Sequence, residues 1–217
     1  MLSRRLKAIT TLIEPNKRVV DVGCDHALID IYLTKNKLNK CIASDINKFA
    51  LEGAIKNIKK YHLENEIKTI ISDGIKNIKI NKDDYIIIAG MGTKTILKIL
   101  ENEQTKKIEN LILSSHNEYE YLRYNLKKKK FYIEDEIIIK ERNIFYLIMK
   151  LSRNKRYYKL EDYYLGPILK NKQDLETKEY FNNLYISNKN ILNKLPKKYF
   201  WKRIKLKKRN RWLKKYL

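Results

Sequence analysis

Asp21, Gly23 and Asp25 stand at alternate positions in VVDVGCDHALIDIYL, residues 19–33, where an apolar run meets an acidic turn. A cofactor carrying a pyrophosphate would want G-x-G-x-x-G and a helix start clear of anions. This turn has one glycine and two carboxylates, which repel a diphosphate. An ammonium and a sulfonium are attracted to the same place, and S-adenosylmethionine (SAM) carries both.

Two further acids extend the pattern. Asp45 lies 22 positions after Gly23, the spacing at which a strand-end carboxylate bonds ribose hydroxyls. Asp73, in ISDG at 71–74, is placed to accept from an adenine amino group. Cys24, Ile46 and Gly74 accompany these acids at their turns, and Ala89, Gly90, Met91 and Gly92 form a fourth turn where the transferred methyl would face. Each acid alone reads equally well as a helix cap or turn former. Three acidic turns in succession favour the cofactor reading. Enzymes that methylate exocyclic amines place a motif such as N-P-P-Y at the fourth turn, and those acting on cytosine carbon need Pro-Cys; the sequence has neither.

These turns need a scaffold. Short apolar runs (19–23, 41–45, 67–71, 85–90 and 110–115) alternate with segments of helical length such as 47–61. That alternation predicts βα units and a mostly parallel sheet. FYIEDEIIIKE and NIFYLIMKL, joined at Arg142-Asn143, predict an antiparallel hairpin at its end. Residues 2–13 predict an amphipathic entry helix, and 170–195 a helix with Leu175, Phe181, Leu184, Leu192 and Leu195 on its apolar side, stopped by Pro196. The strand series ends at Ser152. A catalytic domain at 1–155 and a basic helical domain at 156–217 are therefore expected.

The net charge is +23, and residues 151–217 carry 20 Lys and Arg against 5 Asp and Glu, or +15 of it. A basic tail of this kind attracts a polyanion. Chain-wide enrichment in Lys, Asn, Ile and Tyr tempers that reading. Residues 197–217 hold 11 basic and no acidic residues, interleaved with Phe200, Trp201 and Trp212. Phosphate contacts plus stacking surfaces suit an RNA clamp, with Lys202, Lys207, Arg203, Arg209, Arg211 and Trp212 as its candidates. The alternative is a helix pair that packs its aromatics inward and leaves its lysines solvated. No apolar run reaches the length of a membrane span, and Cys24 and Cys41 are too far apart for a C-x-x-C. The expectation is a soluble cytoplasmic monomer with reduced thiols and no metal.

Together these stretches resemble the bacterial tRNA (adenine-22-N1) methyltransferase family. LSRRLKAI (2–9) is similar to its opening helix, VVDVGCDHALI (19–29) to its D-x-G-x-D-H-A motif, IIIAGMG (86–92) to its A-G-M-G motif, and LGPIL (165–169) to the entry of its helical domain. The resemblance implies a Rossmann-like class I methyltransferase sheet with a small C-terminal helical domain, SAM as cofactor and tRNA as partner. Three positions depart from the family: Asp30 where proline is common, Thr93 where glycine is common, and Ser114, Ser115 and His116 where Q-P-N is often found.

Adenine N1 already bears a lone pair, so its methylation needs placement rather than deprotonation, and the product base is cationic. Asp25 is the candidate to stabilise that charge, with capping of the next helix near Ala27 as its structural alternative. His26 could orient base or cofactor, or simply pack. Competing readings are a catalytically silent RNA-binding protein of the same fold, a SAM-dependent enzyme with another acceptor base, and a nucleotide-dependent oxidoreductase, which the acidic turn disfavours.

Overall fold

The computed structural model describes residues 2–217. Five strands, β1 (Arg18–Val22), β2 (Lys40–Asp45), β3 (Ile67–Ile71), β4 (Tyr85–Met91) and β5 (Asn110–Ser115), run parallel. Two longer ones, β6 (Tyr132–Glu141) and β7 (Ile144–Ser152), close the sheet antiparallel, giving the order β3-β2-β1-β4-β5-β7-β6. Arg142 and Asn143 both take positive φ, 48° and 63°, as a two-residue hairpin turn that matches strand twist requires.

The central strands are apolar on both faces because helices cover both. Val20, Val22, Ile86, Ile88, Leu111 and Leu113 point to one core, and Val19, Ile87 and Ile112 to the other. The second core is closed by α1 (Arg4–Thr11), α2 (Leu28–Lys37) and α3 (Lys48–Lys60) through Ile9, Leu33 and Leu51. The first is closed by α4 (Thr93–Ile99), α5 (Tyr119–Lys128) and residues of the C-terminal segment.

That segment holds α6 (Leu160–Leu165), α7 (Leu175–Lys194) and α8 (Phe200–Leu213). Leu165, Leu169, Tyr180, Phe181 and Leu213 are buried in the same cluster as the sheet residues. The helical part therefore shares a core with the sheet. The helix expected over 170–195 starts later, at Leu175, because Leu169–Asn171 form a 3-10 turn and the Asp174 carboxylate accepts the Thr177 N–H at 2.9 Å as an N-cap. Leu175, expected on the apolar side, is exposed, while Tyr180 and Phe181 face inward.

Candidate active site

β1 lies between β2 and β4, where the strand order reverses, and ligands of open α/β sheets bind at the carboxyl ends of strands at such a point. Two cavities meet there at Gly23. One, about 650 Å³, is lined by Val22, Asp45, Ile46, Ser72, Asp73, Gly74, Met91 and Lys94, among others. The other, about 310 Å³, is bounded by Arg5, Asp21, Cys24, Asp25, His26, Ala89 and Gly90. Together they have the size of a small-molecule site. The residues expected from the four turns thus come to one place, Gly92 standing at the N-cap of α4. A larger cavity, about 960 Å³, adjoins the first at Glu101 and Asn102 and is lined by residues including Leu100, Lys129 and Arg153. Two of its cations are spent on the protein's own carbonyls: Arg153 donates to Ile108, Lys129 and Thr105, and Lys129 to Leu100.

Backbone geometry sets the turns. The Gly23 and Cys24 N–H groups both donate to the Ser44 carbonyl, at 2.8 and 3.0 Å, fastening the first turn to β2. Gly23 has φ +79°, and a Cβ there would fall 2.3 Å from the Met91 methyl. Gly90 has φ +75°, yet a Cβ there would meet nothing within 4 Å. The first glycine answers to a neighbour, the second to open space beside the cavity.

The acids differ in their engagements. Asp45 accepts the Asn47 N–H at 2.8 Å while lining the larger cavity. Asp73 is half-exposed and paired with Lys76, whose ammonium holds the carboxyl below its usual range. Asp73 is therefore a shared acceptor. Asp21 is 4% exposed, and burial, then the Asp30 carboxyl, raises it well above the ordinary range. Burial and the nearby carboxyls also push the Cys24 thiol up, which removes it as a nucleophile.

Asp25 does not cap α2. The capping position is Ala27, at φ +53° with no side-chain hydrogen bond, and Asp25 itself is at φ +50° with a side chain 73% exposed. Its carboxylate lies 3.7 Å from His26 Nε2. Two non-glycine residues in the left-handed region flank His26, which is the kind of local strain that clusters at functional loops. The His26 carbonyl accepts from Asn57 Nδ2 at 3.0 Å, and its ring lies against Gly53 of α3.

Two residues at or beside the cavities escaped the sequence reading. Arg5 of α1 lines the smaller cavity, its guanidinium 4.7 Å from the centre of the Tyr146 ring and its Nε without a partner. The cue was the Arg-Arg pair in LSRRL. Asn117 ties the turn after β5 to the fourth turn: its Oδ1 accepts the Thr93 N–H at 3.1 Å and its carbonyl the Thr93 hydroxyl at 2.7 Å, with Ser115 Oγ 2.9 Å from that hydroxyl. Thr93 and Ser115 thus meet each other.

The tail residues divide. Lys202, Lys207 and Arg211 are exposed, as are Phe200 and Trp201. Arg203 donates to the Leu192 and Leu195 carbonyls, Arg209 pairs with Glu120 and stacks 4.5 Å over Tyr164, and Trp212 packs on the core beside Tyr164. These three have contacts within the protein that help hold α8 in place. Glu120 is in the first turn of α5, so its pair with Arg209 fastens α8 to the start of that helix.

A sequence profile described as a methyltransferase domain matches residues 2–149. The chain is 31% identical over 180 residues to a putative tRNA methyltransferase of Mycoplasma genitalium, covering 80% of this chain and 81% of that one. It is 32% identical over 158 residues to the tRNA (adenine(22)-N(1))-methyltransferase of Bacillus subtilis, covering 71% and 66% respectively. The solved M. capricolum TrmK in complex with S-adenosyl-homocysteine superposes with a TM-score of 0.86 at 32% identity, over 100% of this chain and 97% of that one. The chain belongs to the tRNA (adenine-22-N1) methyltransferase family. Its sheet is the Rossmann-like class I methyltransferase fold, as the resemblance implied. Among the described residues of this family member, no helix is long and apolar enough to cross a membrane.

Proposed function

We propose that this protein transfers the methyl group of SAM to N1 of adenine 22 in tRNA. The observation that carries the reading is the convergence of Asp21, Asp45 and Asp73 from three adjacent strand tips on cavities that meet at a single-glycine turn. The residues present fit the cofactor: acids for an ammonium and a ribose, the unpartnered Arg5 Nε for a carboxylate, and unfilled space at Gly90.

SAM supplies an electrophilic methyl on a sulfonium. Asp45 would hold the ribose, Asp73 with Lys76 the adenine edge, and Asp21 with Arg5 the amino acid end. Burial of Asp21 strengthens its attraction for a cation. Asp25, at the open mouth of the smaller cavity, would face the positive charge that develops on the methylated adenine, and His26, braced by α3, would orient the base. Position N1 lies on the Watson-Crick edge, so the tRNA must present it unpaired. The exposed cations and aromatics of α8 support a role for residues 156–217 in holding the tRNA, and the protein would act as a cytoplasmic monomer.

The test is incubation with SAM and unmodified tRNA transcripts, followed by nucleoside digestion and mapping. 1-Methyladenosine at position 22 is expected. Its absence, or methylation of another base, would overturn the assignment.

A further inference from the structure

Most buried carboxylates of this protein have a cation: Asp84 has Arg18, Glu136 has Arg123, and Asp162 has Lys170. Asp30, in the first turn of α2, is 0% exposed, and neither of its carboxylate oxygens receives a hydrogen bond from an N–H or hydroxyl. Its polar neighbours are the Asp21 carboxyl, which reaches across from β1, and the Cys41 thiol of β2. Two bare carboxylates side by side out of water would repel strongly; a proton between them satisfies both. Burial accordingly raises both acids.

The pair is not sealed off. Asp21 also lines the smaller cavity, with Arg5 of α1 and with Asp25 and His26 of the following loop. Asp45 at the tip of β2 bears on Asp21 and favours retention of the proton, while the thiols of Cys24 and Cys41 next to the pair are themselves pushed up and neutral.

We propose that Asp30 is a positioning residue for the cofactor, forming with Asp21 a proton-sharing carboxyl pair from which the cofactor's ammonium displaces a proton. The inference rests on the SAM reading above. On binding, the O–H of the pair is broken, its proton goes to buffer, and N–H donors of the ammonium take its place at Asp21. Sign follows from linkage: a pair that binds protons more tightly when empty than when filled gives affinity that rises with pH. Asp30 sets the range over which it rises.

Calorimetric titration with SAM in two buffers of different ionisation enthalpy counts the protons released. The window is pH 5.5–7.5, below the range in which an α-amino group loses its own proton, near about 8. Wild-type protein should release a proton and gain affinity with pH, by up to about ten-fold per unit, the limit for one linked proton. Asp30→Asn should release less and show a flatter profile, because the amide donates to Asp21 without a titrating proton. His26 is common to both proteins and cancels in the difference. Equal slopes and proton counts in the two proteins would overturn the proposal. So would SAM binding to wild type with no proton released, a measurement that stands even if the variant does not fold. Failure of wild type to bind SAM at all would instead overturn the cofactor reading, and the pair with it.

Discussion

Arg123 Nε donates to Glu136 Oε1 at 2.8 Å, and the two side chains are 1% and 0% exposed. The pair joins α5 to β6, and each partner also grips the C-terminal segment. Arg123 Nη1 donates to the Tyr163 and Tyr164 carbonyls at 3.2 Å each, and Glu136 Oε2 accepts the Ile168 and Leu169 N–H groups at 3.2 and 3.1 Å. Arg123, in a basic chain, is thus a structural cation and not part of an RNA-facing surface.

Glu136→Gln should destabilise the protein by about 3–5 kcal/mol, the scale on which losing one partner strands a buried charge. Urea unfolding measures it. A protein ending at residue 155 should unfold or aggregate, because it lacks Leu165, Leu169, Phe181 and Leu213 of the shared core. A soluble truncated protein with a sharp melting transition would show that the sheet is self-sufficient.

Asp45→Ala should weaken SAM binding by about 1–3 kcal/mol, as expected for removing hydrogen bonds to a charged acceptor, with little change in melting temperature. Calorimetry at fixed pH decides. Unchanged affinity would place the ribose elsewhere.

Asp25→Asn should lower turnover ten-fold or more and leave SAM affinity nearly unchanged, since its carboxylate lies at the mouth and caps no helix. Single-turnover methylation alongside SAM titration separates the two effects. Parallel losses in both would make Asp25 a cofactor ligand.

Replacing Lys202, Lys207 and Arg211 together by alanine should weaken tRNA binding and lower the salt slope by about two, three phosphate contacts at most. Trp201→Ala should cost affinity without altering the slope, because stacking releases no counterions. Trp212→Ala should lower the melting temperature instead. A Trp212 variant that melts normally but binds tRNA poorly would restore it to the RNA surface.

The strand series and the turns that line the cavities were legible because both rest on local signals: apolar runs bounded by turns, and acids at fixed offsets from Gly23. The division of the tail was not. Trp201 and Trp212 look alike in a lysine-rich stretch, and only the docking of α8 on Tyr164 separates them. Arg5 was hidden for a similar reason, since its place beside Asp21 depends on α1 crossing to the edge of the first turn. Asp30 stood out only as a departure from the resembled pattern, because its neighbour is a strand residue nine positions earlier.

The shared core also fixes an order of events during synthesis. Chains emerge from the ribosome N-terminus first. By the time Ser152 has been made all seven strands exist, yet Glu136 still lacks the Ile168 and Leu169 amides, and Phe181 and Leu213 are later still. The part of that face not covered by α4 and α5 stays bare until α6, α7 and α8 have been made. A ribosome stalled between the codons of Ser152 and Leu213 therefore displays a sheet whose apolar face is only partly covered.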